Sequence, residues 1–349
     1  MARCSALTVL AALAASFAVF VALCIPPALS PARRAAIKGS VVVITGASSG
    51  IGAELAEQYG ALGARVVIGA RRARELEAVA ARVRAAGGEA LAVAGDMGAS
   101  ADCAALVAAA AAAFGGVDTL VINHALFDDG LFVERDAAAI EATLGAQLRV
   151  NVLGPALLLA AALPALEASA RGGRVVEVSS GTVKIAAPFH PGYGASKAGE
   201  HGLFRHVAAE LALLHSPVSI TTAILGMIGT PEVLVHEGLR ASAYSVPDTA
   251  RGIIEAADAR VRIAYVPAWI GPGAWLAFFS QSLEHIFMND FYTQKIPACA
   301  ARASGGVARA CAHELTALRP PPPCRRRQAR RAPAQVARSR ASNPSSIIH

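Results

Sequence analysis

Apolar runs of strand length alternate along the middle of the chain with longer segments whose apolar residues recur at helical spacing. Val41-Val42-Val43-Ile44 and Val66-Val67-Ile68 are the purest runs, and residues 89–96, 117–125, 173–180, 217–225 and 262–266 repeat the type. After the first run, Ile51, Leu55, Tyr59 and Leu62 fall on one helical face, and 73–86 and 100–114 read as further helices. From residue 40 onward this strand and helix alternation predicts an α/β fold. Its form is a single doubly wound parallel sheet of about seven strands with helices on both faces.

The ends of the chain break the pattern. Residues 6–25 form an uncharged, mostly apolar run of twenty residues, long enough at ~1.5 Å per residue to cross a ~30 Å hydrocarbon layer. Pro26 and Pro27 stop it, and Arg33, Arg34 and Lys38 follow. A membrane anchor is the first reading of residues 1–30. A cleaved signal peptide, with Arg3 as its basic start and Ala28-Leu29-Ser30 near the cut, is the second. Residues 297–349 decay into Pro320–323 and an arginine-rich tail for which no fixed structure is expected. The domain proper is therefore placed at 31–296.

Locating the charge changes its meaning. The net charge is +7, but eight arginines and no Lys, Asp or Glu lie from Arg319 onward, which leaves about −1 for residues 1–318. With a nearly neutral body, only the basic tail could bind nucleic acid or anionic lipid; a solvated, unstructured tail is the favoured reading and a nucleic-acid partner is not expected. The six cysteines, at 4, 24, 103, 299, 311 and 324, show neither a C-x-x-C pair nor metal-type spacing with histidine, so no metal is expected.

Candidate chemistry begins where the first strand ends. Thr45-Gly46-Ala47-Ser48-Ser49-Gly50-Ile51-Gly52 is a glycine-rich turn opening a helix. Gly46 and Gly50 allow tight folding, Gly52 allows close helix packing, and the free N–H groups of the helix start suit a dinucleotide pyrophosphate. The second strand ends at Arg71-Arg72, where an acid would bind a free ribose 2′-hydroxyl. Arginines suit a 2′-phosphate, so NADP(H) is expected, with Arg71 as the main contact and Arg72 closer to a solvated helix start. Asp96 and Met97 end the third strand in position to touch the adenine. Asn123, His124 and Ala125 end the fourth, where His124 suits cofactor contact better than acid-base work. Asn151 lies inside a helical stretch.

The fifth strand ends at Ser179-Ser180, and thirteen residues on comes Tyr193-Gly194-Ala195-Ser196-Lys197. Tyr193 and Lys197, four apart, share a helix face. A tyrosine of reference pKa ~10 needs its phenolate stabilised to exchange protons near neutrality, and an ammonium one turn away does this. A serine hydroxyl beside it can hold a carbonyl oxygen.

The turn, Asn123-His124-Ala125, Asn151, Ser180 and Tyr193-Gly194-Ala195-Ser196-Lys197, in this order, resemble the short-chain dehydrogenases/reductases, a Rossmann-type family, over residues 37–296. Asn123-His124-Ala125-Leu126 and Ile224-Leu225-Gly226-Met227-Ile228-Gly229-Thr230 are most similar to the branch of 11β-hydroxysteroid dehydrogenase type 1 and its type-1-like members, which also carry an N-terminal hydrophobic segment. The resemblance implies that Tyr193 is the general acid in ketone reduction, with Lys197 assisting it and holding the nicotinamide ribose. It further implies that Ser180 orients the substrate oxygen, Asn151 anchors a proton-relay water, and Ile228 and Thr230 hold carboxamide and pyrophosphate. Met227 is implied on the substrate side. A steroid-like lipophilic substrate, a homodimer and an endoplasmic-reticulum membrane location with a lumenal catalytic domain follow as expectations, with secretion after signal cleavage as the alternative.

Three departures stand out. Ser49 replaces a lysine of the turn, Ala187 replaces an aromatic of the steroid pocket, and Glu177 and Glu200 stand where apolar residues are expected. A buried carboxylate needs a partner or a raised pKa. A lid over the substrate is expected at 230–244. The aromatics of 269–291 suit core packing, a dimer contact or a membrane-surface contact. Two functional classes stay open: an oxidoreductase acting on steroids or other lipids such as retinoids, and a non-catalytic nucleotide-binding scaffold.

Overall fold

In the computed structural model the described residues are 15, 19, 25–231, 243–268, 270 and 271. Almost all of the apolar 6–25 segment, most of the expected lid, nearly all of the aromatic 269–291 stretch and the tail lie outside them. A short helix α1 (Pro31–Ile37), capped by Ser30 Oγ accepting from Arg33 N at 3.3 Å, leads into the body. An ion pair at 2.5 Å between Arg33 Nε and Asp258 Oδ2 ties it there.

The apolar run at 41–44 becomes the central strand β1 (Val41–Thr45), buried along its whole length. Then follow α2 (Gly50–Ala61), β2 (Arg65–Ala70), α3 (Ala73–Ala85), β3 (Glu89–Ala94), α4 (Ser100–Phe114) and β4 (Thr119–Ile122). The second half is α5 (Ala137–Leu148), a π-helical turn (Arg149–Leu153), α6 (Gly154–Glu167), β5 (Arg174–Ser180), α7 (Pro191–Leu213), β6 (Ser219–Leu225), α8 (Val246–Asp258) and β7 (Ile263–Val266). All seven strands are parallel, in the order β3-β2-β1-β4-β5-β6-β7. Strand order reverses between β1 and β4, and a ligand crevice is expected above the carboxyl ends of the strands at such a point.

Each sheet face buries its own apolar layer. Val42, Ile44, Ile68 and Val176 pack with Leu55 and Ile253 on one side, and Val43, Val67, Leu120 and Val175 with Leu106, Leu158 and Phe204 on the other. The helical run 137–167 is long and apolar enough to cross a membrane by length alone, yet Leu158, Ala162 and Leu166 sit in the second layer.

Two strands end earlier than their apolar runs. The run at 117–125 yields a strand only to Ile122, because the N–H of Asn123 leaves the ladder and donates to Thr45 Oγ1 at 3.1 Å. The run at 89–96 stops at Ala94, and the N–H of Asp96 donates to Asp102 Oδ2 at 2.7 Å.

Candidate active site

The glycine-rich turn sits at the switch point. Gly46 and Gly50 have φ of +66° and +57°, which a side chain would strain. A Cβ on Gly46 would stand 2.8 Å from the His124 Cα, and one on Gly52 would stand 2.5 Å from the Gly46 carbonyl oxygen. Both neighbours are backbone and cannot yield, so the two glycines hold β1, α2 and β4 at contact distance. Gly46 N donates to Gly69 O at 2.8 Å, and Asn123 Nδ2 donates to Thr45 O at 3.1 Å and Gly46 O at 3.3 Å. Asn123 thus sews the end of β4 to the turn.

Ser49, with extended backbone, precedes α2 without capping it through its side chain, so the first N–H groups of the helix lie free of a side-chain cap. Ile51 is half-buried behind them. Across the helix start stands Thr230, whose Cγ2 would lie 3.5 Å from a Cβ on Gly50. Ile228 is buried and bridges to Tyr244, and Met227 beside it is half-buried.

The two arginines, both exposed, are placed differently. Arg72 bends back over the turn, donating from Nε and Nη2 to Ser48 Oγ at 3.2 and 2.9 Å and from Nη2 to Ser49 Oγ at 2.7 Å. Arg71 is exposed, with no side-chain hydrogen bond or ion pair among the described residues. Asp96 is exposed beside this end of the sheet, with Oδ1 accepting from Gly98 N at 3.0 Å, whereas Met97 is buried in the core. The His124 ring also turns inward, with Nδ1 2.8 Å from Thr45 Oγ1. Burial, and then the Lys197 charge, lower its pKa to about 3, so it stays neutral and works as a strut. Ala125 is exposed at the same strand end. Thr45 is a site residue that its place in the turn alone did not single out. Its hydroxyl serves both Asn123 and His124.

On the other side of the crevice α7 starts at Pro191, a residue suited to the first helical turn. Tyr193 is half-buried, and its ring meets Phe127 edge-on at 5.1 Å and 70°. Phe127, from the loop after β4, has nothing in its sequence context to mark it. Ser180 ends β5, half-buried, its Oγ accepting from Thr182 N at 3.2 Å. Asn151 is wholly buried on the π turn. Its Oδ1 accepts from Leu126 N at 2.6 Å, and Nδ2 donates to Leu126 O at 2.8 Å and Ser196 Oγ at 2.9 Å. The side chain therefore clamps the loop carrying Phe127 to the helix carrying Tyr193.

Lys197 is almost fully buried below Tyr193. Its Nζ donates to Val178 O at 2.9 Å and to Glu200 Oε2 at 2.7 Å. Burial pulls the ammonium down, and the Glu200 carboxyl, first among the charges opposing burial, leaves it above its usual value. Glu177 and Glu200, the two carboxyls expected to need partners, are both fully buried. Glu177 Oε2 accepts from Thr222 Oγ1 at 2.6 Å. Glu200 is raised from 4.5 to about 7, first by burial, with Lys197 opposing and Glu177 adding.

That shift has a sign for stability. Holding the Glu200 proton above the carboxylate's ordinary range makes the folded state bind more protons than the unfolded chain at that group between pH ~4.5 and ~7, so the stability Glu200 contributes falls as pH rises through that window. His124, neutral in the fold, acts with the opposite sign below pH ~6.5, so the test is the difference in urea midpoint between the parent and Glu200→Gln from pH 4.5 to 7.5, which should fall as pH rises. A difference that is flat or rises with pH would contradict the assignment.

Residues 40–235 match the family model for short chain dehydrogenases. A hydroxysteroid 11-beta-dehydrogenase 1-like protein of Xenopus tropicalis is 35% identical over 241 residues, covering 68% of this chain and 81% of that one. Its Danio rerio counterpart is 35% identical over 247 residues, covering 70% and 82%. A metagenomic short-chain oxidoreductase solved in complex with NADP is 33% identical, with TM-score 0.55 over 66% of this chain and 96% of that one. A putative short-chain alcohol dehydrogenase from Sinorhizobium meliloti 1021 is 26% identical, with TM-score 0.58 over 65% and 94%. With the glycine turn at the switch point and the Tyr193–Lys197 helix packed on the turn that follows Ser180, these similarities establish that the chain belongs to the short-chain dehydrogenase/reductase family of oxidoreductases.

Proposed function

We propose that the protein is an NADP(H)-dependent oxidoreductase that interconverts a carbonyl and an alcohol on a steroid or similarly lipophilic molecule. The observation that carries this reading is the half-buried Tyr193 with Lys197 sealed one turn behind it at the open end of the sheet, beside the end of β5 that carries Ser180. A dinucleotide fits the opposite half. The positive-φ glycines bring the backbone close, the α2 start leaves N–H groups for a pyrophosphate, and Arg72 offers a guanidinium held by hydroxyls rather than by a carboxylate.

The bound nicotinamide would supply the hydride. Tyr193 holds the complementary proton at its phenolic oxygen and releases it to the carbonyl oxygen, so a C=O takes up H⁻ at carbon and H⁺ at oxygen and becomes a CH–OH. Ser180 orients that oxygen with its hydroxyl. Lys197 compensates the phenolate, and Asn151 keeps the Phe127 loop and α7 in register. Alcohol oxidation runs the same steps backwards.

The relatives named hydroxysteroid 11-beta-dehydrogenase 1-like, together with the Phe127 ring on Tyr193, support a lipophilic substrate. The apolar 6–25 segment supports anchoring in a membrane. An endoplasmic-reticulum location with a lumenal catalytic domain, and a homodimer, are proposed from the family resemblance alone. The test is NADPH oxidation by detergent-purified full-length protein against steroid ketones, retinal and aliphatic aldehydes. Turnover of a steroid ketone supports the reading. NADPH binding without turnover of any of them would replace it with the scaffold reading.

A further inference from the structure

Glu200 makes this lysine unlike an ammonium that serves a tyrosine alone. Lys197 has three N–H donors, and among the described residues one goes to Val178 O and one to Glu200 Oε2. Tyr193 lies four residues before it and Glu200 three after, so phenol and carboxyl draw on the ammonium from opposite directions along one helix face. Glu177, on the neighbouring strand, brings a second buried carboxyl to the same pocket, and Oε1 of each acid has no hydrogen bond among the described residues.

We propose that Glu200 is a positioning residue that competes with Tyr193 for the Lys197 ammonium and so limits how far the lysine stabilises the Tyr193 phenolate. The proposal rests on Tyr193 being the proton donor proposed above. A bare ammonium stabilises a nearby phenolate, whereas an ammonium joined to a carboxylate presents little net charge. The charges acting on Glu200 are Lys197 on α7 and Glu177 on β5; His201 on α7 lies 3.7 Å from Glu177 Oε2, and Tyr193 on α7 acts on Lys197. Thr222 on β6 and Asn151 on the π turn contribute no charge, and His124 at the end of β4 is neutral. With Glu200 raised only to about 7, its carboxyl is ionised throughout the alkaline range in which a phenol titrates. In that range the pairing reduces the charge that Lys197 presents to Tyr193.

The Tyr193 titration can be read without substrate, as the phenolate ultraviolet absorbance of the parent minus that of Tyr193→Phe. The same difference is then taken in a Glu200→Gln background. Removing the carboxylate should lower the Tyr193 midpoint by about one pH unit or more. Glu200→Leu should lower it likewise, and Glu200→Asp should return it towards the parent. An unchanged or higher midpoint in both Gln and Leu variants would overturn the proposal, since a purely structural glutamate would alter stability without moving the phenol. Failure of all three variants to fold would overturn it equally. A lowered midpoint in a protein that turns over no carbonyl would uphold the coupling and refute the enzymatic reading. Turnover with an unmoved midpoint would refute the coupling alone.

Discussion

Tyr193→Phe should slow carbonyl reduction by about 10²–10⁴-fold, the range lost when a positioned general acid is removed. The substitution deletes one hydroxyl and little else. The ring keeps its edge-on contact with Phe127, and Tyr193 is half-buried rather than part of either apolar layer, so the thermal midpoint should stay within about 1 °C of the parent. NADPH affinity should change little, because the turn, Arg72 and Thr230 are untouched. The measurement is kcat on whichever ketone the parent reduces, alongside the thermal midpoint and NADPH binding. A variant retaining a tenth of the parent rate would remove Tyr193 from the chemistry.

The sheet was legible because strands buried on both faces read as unbroken apolar runs, and Val42 to Ile44 and Val66 to Ile68 are fully buried. Strand ends were less so, since they depend on a side chain elsewhere capturing a backbone N–H, as Thr45 does for Asn123 and Asp102 does for Asp96. The pairing of Tyr193 with Lys197 follows from a spacing of four on one helix and needs no tertiary information. By contrast, the grouping of Glu177 with Glu200 requires knowing that α7 lies over β5, so sequence revealed two carboxyls in need of partners but not that Lys197 and Thr222 would supply them. Phe127 reaches Tyr193 only through the path of a loop, which no periodicity encodes.

Arg71 and Arg72 are adjacent at the end of β2, and sequence favoured Arg71 as the 2′-phosphate contact. Arg72, at the residue before α3, has extended backbone with φ −90° and ψ 90°, and its side chain doubles back to Ser48 and Ser49. Ser49, which seemed to cost the turn a lysine, instead accepts from the Arg72 guanidinium and helps aim it. A phosphate at the ribose would meet a preoriented cation whose present partners are neutral hydroxyls, and charge-assisted hydrogen bonds of that type contribute about 1.5–3 kcal/mol. Arg72→Ala should therefore weaken NADPH binding by roughly 10- to 150-fold and leave NADH binding within about twofold. Arg71→Ala, removing an exposed side chain with no partner among the described residues, should weaken NADPH binding several-fold at most. Fluorescence titration of both nucleotides against both variants measures this directly. Equal losses for NADPH and NADH in Arg72→Ala would mean that the arginine braces the turn rather than reading the phosphate, because a brace lost from the pyrophosphate loop would weaken both nucleotides alike.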